Sequence, residues 1–148
     1  HRGGKLMWGN LNAEKSYSRW AFYCQSKLAN LIFARDLNRR LEKAGSTIHA
    51  YAAHPGYSAT HLQDTVPAGG LFNTIMAQPA EMGCLPGVMA ATSPDVEPGG
   101  YYGPDSRIME LRGYPAPAYA RKITDNKTVA QRLWQESEQL TGVHYLND

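Results

Sequence analysis

The 148-residue chain lacks the features of several protein classes. No apolar run approaches the ~20 residues that a membrane span needs, because glycine, proline or charge interrupts each one. Its 15 basic and 13 acidic residues leave a net charge of +2, which is too balanced to indicate a nucleic-acid partner. We therefore expect neither a membrane span nor nucleic acid binding.

Cysteine is scarce as well. The spacing of Cys24 and Cys84 fits neither a metal knuckle nor a disulfide framework, so a reducing cytoplasm is the expected location. The histidines also lack the spacing of zinc ligands, at His49, His54 and His61. We expect no metal site, and Cys24 is expected to pack rather than to do redox chemistry.

Hydrophobic residues make up 43% of the chain and charged residues 19%, which is typical of a globular domain. Residues 1–18 show no period and are predicted to form a loop. From Arg19 to Lys43, apolar residues recur at helical spacing and Gly45 follows, so a long amphipathic helix is predicted. Its expected buried stripe consists of Leu28, Ala29, Ile32, Phe33, Leu37 and Leu41. Its expected solvated face consists of Arg35, Asn38, Arg39, Glu42 and Lys43.

A short apolar segment at residues 47–53 predicts a buried strand, which His54-Pro55-Gly56 ends. A helix, a tight turn, a strand and a Pro-Gly break form the second half of a βαβ unit. We therefore expect a parallel sheet, with a ligand near the strand ends.

Further elements are predicted after this strand. Residues 79–92 favour a helix, with Pro79 in its first turn and Pro86 kinking it or delaying its start. Tyr101 and Tyr102 favour a short strand. A last helix is predicted to be capped by Thr128 with Gln131, to end at Gly142, and to bury Val129, Leu133, Trp134 and Leu140.

Tyr23 and Lys27 form the candidate catalytic pair. They lie four residues apart on the predicted helix and therefore on one face of it. A phenol is a poor acid or base near neutral pH, but an adjacent ammonium group stabilises the phenolate. Tyr23 can then protonate a carbonyl oxygen as a hydride arrives at its carbon, or take the proton back in the reverse direction. This spacing also arises by chance, so the surrounding residues carry the interpretation.

Those surrounding residues resemble one enzyme family. The order Tyr-Cys-Gln-Ser-Lys-Leu-Ala-Asn from Tyr23, then His-Pro-Gly-Tyr-Ser-Ala-Thr from His54, closely resembles the short-chain dehydrogenase/reductase family. The match is nearest the branch of retinol dehydrogenases and protochlorophyllide reductases. The resemblance extends over nearly the whole chain, including residues 100–104 and 133–142.

The resemblance implies a fold and a chemistry. The fold would be α/β, the C-terminal half of a Rossmann-like, doubly wound parallel sheet. The activity would be interconversion of an alcohol and a carbonyl compound with NADP or NAD. Tyr23 matches the family's catalytic acid/base, and Lys27 matches the residue that tunes this tyrosine and binds the nicotinamide ribose.

The resemblance also implies one side of the nicotinamide pocket. The segment matching residues 55–60 borders the nicotinamide, with Pro55 and Gly56 in its turn. The backbone near Tyr57 would face the carboxamide, and Thr60 would reach toward the carboxamide or the pyrophosphate.

Other parts of the family's site have no counterpart in this chain. No glycine-rich turn follows a strand and opens a helix, and the family's catalytic serine and relay asparagine are absent. The chain begins at His1 as if within a loop. We therefore expect residues 1–148 to be the C-terminal part of a single NAD(P)-binding Rossmann-like domain that requires an upstream half. The choice between NAD and NADP would depend on that half.

The apolar residues 62–76, with Gly69-Gly70 as a hinge, are the candidate substrate lid, with ordinary packing or a subunit contact as the alternative. They favour a small lipophilic alcohol or carbonyl substrate.

The resemblance further implies a homodimer or homotetramer paired through the Arg19–Lys43 helix. Two other functions remain open, a catalytically silent structural or interaction module and a nucleotide-sugar epimerase, although the apolar segment and His54-Pro55-Gly56 argue against the second.

Overall fold

The computed structural model describes residues 1–57, 78–106 and 110–146. The chain divides into two compact units, one formed by His1–Ala50 with Ala120–Asp148 and the other by Tyr51–Tyr119. In chain order the elements are α1 (Arg19–Lys43), β1 (Ala52–Ala53), α2 (Ala80–Thr92), β2 (Tyr101–Pro104), β3 (Pro115–Pro117), a 3-10 helix (Lys122–Asp125) and α3 (Lys127–Thr141). No helix in the described ranges is both long enough and apolar enough to cross a bilayer.

The first unit is built around α1, whose predicted bounds are confirmed. Helix α1 packs against α3 and the 3-10 helix. Its core consists of Leu28, Ile32, Ala130 and Leu133. After Lys43 the chain leaves the helix through Ala44, whose N–H donates to the Arg40 carbonyl, and through Gly45 at φ +67°.

The buried face of α1 differs from the predicted one. It centres on Leu28 and Ile32, whereas Phe33 is 38% exposed. Asn38, which was predicted to be solvated, is buried: its amide donates to Glu42 Oε1 at 2.7 Å and its oxygen accepts from the Ala50 N–H at 3.1 Å. A polar side chain belongs on the buried face here because it satisfies a backbone donor that would otherwise be buried without a partner.

Helix α3 begins one residue after its cap, and that cap is not the predicted Thr128. Asn126 is the N-cap, and its side-chain oxygen accepts from the Val129 N–H at 3.1 Å. Thr128 lies two residues after this cap and is already inside the helix. The end of the helix is as predicted, since Gly142 adopts φ +69°. Leu140, predicted to be buried, is 52% exposed, whereas the burial of Leu133 and Trp134 is confirmed.

The second unit contains a three-stranded sheet in the order β1-β2-β3. Strands β1 and β2 are parallel, with Ala52 opposite Tyr101, so the predicted parallel pairing is confirmed. Strand β3 runs antiparallel to β2, with Tyr102 opposite Pro117. The sequence did not indicate β3, because prolines are uncommon in strands and are tolerated mainly at edges. The fold class is therefore mixed α/β with a partly parallel sheet.

The strand predicted at residues 47–53 is shorter than expected. Only Ala52–Ala53 pair, with the Ala52 N–H donating to the Gly100 carbonyl at 3.0 Å and the His54 N–H to the Tyr102 carbonyl at 2.9 Å. Strand β2 begins at Tyr101, which lies opposite Ala52. Residues 47–51 therefore have no residue of β2 opposite them.

Helix α2 contacts all three strands of this sheet. Pro79 is its N-cap residue, and the helix begins at Ala80. Pro86 is buried inside α2, so the predicted later start of this helix is wrong.

Candidate functional site

Tyr23 and Lys27 lie one turn apart on α1, in the first unit. The Lys27 ammonium nitrogen is 5.5 Å from the centre of the Tyr23 ring. Tyr23 is 44% exposed and Lys27 is also exposed. The structure therefore brings the predicted pair together on an accessible helix face.

An aromatic neighbour extends this face. The Trp20 ring stacks on the Tyr23 ring, with centroids 5.6 Å apart and planes 21° apart. Trp20 is 72% exposed. Sequence reasoning missed Trp20, although its i,i+3 spacing from Tyr23 is a signal for contact on a helix. Cys24 points away from this face and is 6% exposed, as predicted for a packing residue.

The turn Pro55-Gly56-Tyr57 lies in the second unit, directly after β1. Gly56 adopts φ +67°, a left-handed conformation that favours glycine. A Cβ atom at this position would lie 2.5 Å from the Leu111 carbonyl oxygen and 2.7 Å from Pro104 Cγ. The chain therefore passes too close to its neighbours here for any residue with a side chain.

Gln78 holds this turn. Its side-chain nitrogen donates to the Pro55 carbonyl at 2.8 Å, and its backbone N–H donates to the Tyr57 carbonyl at 2.9 Å. Its side-chain oxygen accepts from the Gly113 N–H at 2.9 Å. Gln78 is 3% exposed. The Tyr57 N–H, for its part, donates to the Leu111 carbonyl at 2.6 Å.

His54 contacts the same turn from the strand side. Its Nδ1 accepts from the Gly56 N–H at 3.2 Å, and its Nε2 lies 3.3 Å from Glu110 Oε2. The His54 ring lies 5.2 Å from the Tyr101 ring, centre to centre. No sequence pattern indicates Gln78 or Glu110, because only the fold brings Gln78 to the turn and Glu110 to His54.

Glu110 is one of the non-glycine residues with a left-handed backbone, at φ +56°. Its other carboxylate oxygen, Oε1, accepts from the Tyr119 N–H at 2.7 Å. A left-handed backbone is unfavourable for a residue of this kind and persists only where the surroundings hold it.

Some predicted features have no described counterpart. Thr60 and the candidate lid at residues 62–76 lie outside the described residues. Within the described ranges, no group of three or more His, Cys, Asp or Glu residues could hold a metal ion. A groove of about 410 Å³ in the first unit is lined by side chains that include Phe33, Trp134 and Tyr145, and neither Tyr23 nor Lys27 contributes to it.

Known proteins resemble this chain along nearly its full length. No protein-family model matches it. It is 35% identical over 153 residues to retinol dehydrogenase 14 of Mus musculus, which covers 97% of this chain and 42% of that protein. It is 34% identical over 150 residues to retinol dehydrogenase 12 of Homo sapiens, with 98% and 44% coverage.

A solved structure shows the same fold. The crystal structure of an uncharacterized protein from Mycobacterium paratuberculosis matches with a TM-score of 0.75 at 34% identity, over 96% of this chain and 47% of that one. The chain thus spans less than half the length of the relatives it matches. The predicted resemblance is confirmed: along nearly its whole length this chain is homologous to the retinol dehydrogenases of the short-chain dehydrogenase/reductase family.

Proposed function

We propose that the chain is part of an oxidoreductase that interconverts an alcohol and a carbonyl compound by hydride transfer with NADP or NAD. The observation that carries this proposal is the Tyr23–Lys27 pair on an exposed helix face. Homology to retinol dehydrogenases over 97% to 98% of the chain supports it.

Tyr23 supplies the proton in this proposal. Its phenol is accessible, so a substrate oxygen can approach within hydrogen-bond distance. In the reductive direction the phenol gives its proton to the carbonyl oxygen, and in the oxidative direction the phenolate takes a proton from the alcohol. The Lys27 ammonium group, 5.5 Å from the ring, stabilises the negative charge that remains on the phenolate.

Each unit contains residues whose chemistry suits a part of a nicotinamide nucleotide. Lys27 carries an accessible ammonium group, which is a suitable donor for ribose hydroxyls. Pro55, Gly56 and Tyr57 form a fixed backbone turn just after β1, the kind of strand end at which ligands of α/β proteins bind. A bound cofactor would supply the hydride, whereas the chain supplies orientation and the proton. Thr60 remains a proposed contact of the carboxamide or pyrophosphate.

The substrate class follows from the relatives. Their names identify retinol, a lipophilic alcohol, as the compound on which those proteins act. We propose a small lipophilic alcohol or carbonyl compound for this chain, with retinoids as the first candidates. The exposed Trp20 ring beside Tyr23 suits an apolar substrate. The apolar residues 62–76 are the proposed lid.

The organisation of the whole protein is also a proposal. Residues 1–148 would form the C-terminal part of one Rossmann-like, doubly wound domain, completed by an upstream half that carries the glycine-rich turn and the catalytic serine. We further propose a cytoplasmic homodimer or homotetramer that pairs through α1.

The proposal can be tested by cofactor binding and turnover of the full-length protein. Fluorescence titration with NADPH and NADH measures binding, and oxidation of NADPH or NADH in the presence of retinal measures turnover. Tyr23→Phe should lower kcat by about 10²- to 10⁴-fold, because it removes the transferable proton. Cofactor affinity should change by less than about threefold, since the aromatic ring remains.

Tyr17→Phe is the matched control, because Tyr17 is 68% exposed and its ring lies against Phe22 rather than Tyr23. It should leave both measurements unchanged. Failure of the wild-type protein to bind either nucleotide at millimolar concentration would favour a catalytically silent module. Full turnover by Tyr23→Phe would refute the role of Tyr23.

A further inference from the structure

Two side chains of the second unit, those of His54 and Gln78, contact the Pro55-Gly56-Tyr57 turn, and a third, that of Glu110, contacts His54. His54 ends β1, Gln78 lies just before α2, and Glu110 precedes β3. We propose that these three residues, which we call the clasp, are positioning residues: they fix the turn that would border the nicotinamide. This inference rests on the proposed function, because it assigns the turn to a cofactor.

The contact of His54 with the turn defines the state of its ring. The Gly56 N–H donates to Nδ1, so Nδ1 carries no proton and the neutral ring has its proton on Nε2. On the other side of the ring, Nε2 lies 3.3 Å from Glu110 Oε2. One side of the ring therefore binds the turn, and a carboxylate lies against the other side.

Glu110 is itself held in place from two directions. Its Oε1 accepts from the Tyr119 N–H at 2.7 Å, and its backbone N–H donates to the Ser106 carbonyl at 3.2 Å. The backbone at φ +56° is unfavourable for glutamate, and such conformations are concentrated at functional sites. These contacts place the Glu110 carboxylate beside His54.

Gln78 completes the clasp from the opposite side. It is 3% exposed and binds the Pro55 and Tyr57 carbonyls as well as the Gly113 N–H. A buried glutamine with both ends of its amide satisfied is costly to replace, because a substitution leaves buried backbone groups without partners. The turn is thus fixed at Pro55, Gly56 and Tyr57 at once.

A fixed turn matters for binding because flexible parts must be ordered when a ligand binds. If the clasp positions the turn, loss of one contact should weaken cofactor binding more than it changes kcat at saturating cofactor. A typical hydrogen bond contributes about 0.5–1.5 kcal/mol net, which corresponds to roughly two- to tenfold in affinity.

Two substitutions of His54 separate its two contacts. In His54→Asn the amide oxygen takes the place of Nδ1 and can accept from Gly56, but the contact with Glu110 is lost. In His54→Gln the longer amide reaches Glu110 and the acceptor at the Nδ1 position is lost. Both variants, in the full-length protein, are measured by fluorescence titration with NADPH and NADH, and by hydrogen–deuterium exchange of the peptide that contains Gly56.

We expect His54→Gln to weaken binding by about fivefold to tenfold and to speed exchange at Gly56, whereas His54→Asn, which loses only the contact with Glu110, should weaken binding by about twofold to threefold. Gln78→Glu removes the donor to the Pro55 carbonyl and should also weaken binding. The control is His144→Gln, since the His144 side chain is 60% exposed and lies in the first unit.

The other outcomes overturn the inference. Wild-type binding by both His54 variants would show that the clasp does not position the turn. An equal loss in both, with a matching loss of thermal stability, would make His54 a folding residue only. If the wild-type protein binds neither nucleotide, the proposed function fails. Faster hydrogen–deuterium exchange at Gly56 in His54→Gln would in that case show that the clasp stabilises the turn but serves no cofactor.

Discussion

The rings of Phe33 and Trp134 stack almost parallel, with centroids 5.5 Å apart and planes 12° apart. This contact joins α1 to α3 within the first unit. The Arg40 guanidinium group lies over the Trp134 ring, 4.1 Å from its centre. The Trp134 indole N–H donates to Glu138 Oε1 at 3.0 Å. One side chain therefore combines ring stacking, a cation–π contact and a hydrogen bond.

Trp134→Ala should lower the free energy of unfolding by about 3–5 kcal/mol, because it empties a well-packed site. Trp134→Phe keeps a ring and should cost about 1 kcal/mol, chiefly from the loss of the bond to Glu138. Urea unfolding of the full-length protein measures both values. Trp20→Ala, at a 72% exposed position, should stay within about 0.5 kcal/mol. Similar values for Trp20→Ala and Trp134→Ala would contradict this account of the core.

Lys27→Met should lower kcat/KM by roughly 10²-fold or more, because the accessible ammonium group that stabilises the phenolate is removed. The side chain is exposed, so the midpoint of thermal unfolding should hardly change. Steady-state kinetics with retinal and NADPH or NADH is the measurement. Lys5→Met, at another exposed lysine, is the control. A kcat/KM within threefold of wild type would remove Lys27 from the mechanism.

Gly103→Ala should destabilise the protein by about 1–3 kcal/mol, because the added methyl group collides with the imidazole ring of His54. A double-mutant cycle with His54→Ala tests the cause, since removal of the ring also removes the collision. Gly103→Ala should therefore lower the free energy of unfolding less in the His54→Ala background than in the wild type. Equal costs in both backgrounds would place the clash elsewhere.

Asn126→Ala should lower stability by about 1 kcal/mol, because the side-chain oxygen that accepts from the Val129 N–H is lost. Thr128→Ala should be nearly neutral, since Thr128 lies inside α3. Thermal or urea unfolding distinguishes the two. The reverse order of effects would restore Thr128 as the cap of α3.

Local patterns predicted the features that local interactions determine. The bounds of α1 and the end of α3 at Gly142 follow from helical spacing and from glycine at the helix end, and both are confirmed. The closeness of Tyr23 and Lys27 needs only the geometry of one helix. The wrong cap at Thr128 shows the limit of such patterns, because Asn126 offers an equally good cap two residues earlier.

Features that depend on distant partners could not be predicted. The length of β1 is set by where β2 begins, and β3 is a strand despite Pro115 and Pro117 because β2 lies beside it. The polarity of Asn38 predicts a solvated position, yet its side chain is buried because its oxygen accepts from the Ala50 N–H. The clasp is of the same kind, since its three members are scattered in the sequence and meet only in the folded chain.

The first unit is made from both ends of the chain, with Tyr51–Tyr119 between them. Arg35 and Thr124, joined by a hydrogen bond of 2.8 Å, are 89 positions apart. During synthesis on the ribosome, α1 therefore emerges long before α3. Leu6, Trp8 and Leu11 already pack on its core, whereas the part of that core that Ala130 and Leu133 cover stays open until α3 is made. Contacts of such long sequence separation form slowly. The core of the first unit can therefore be completed only after translation has passed α3.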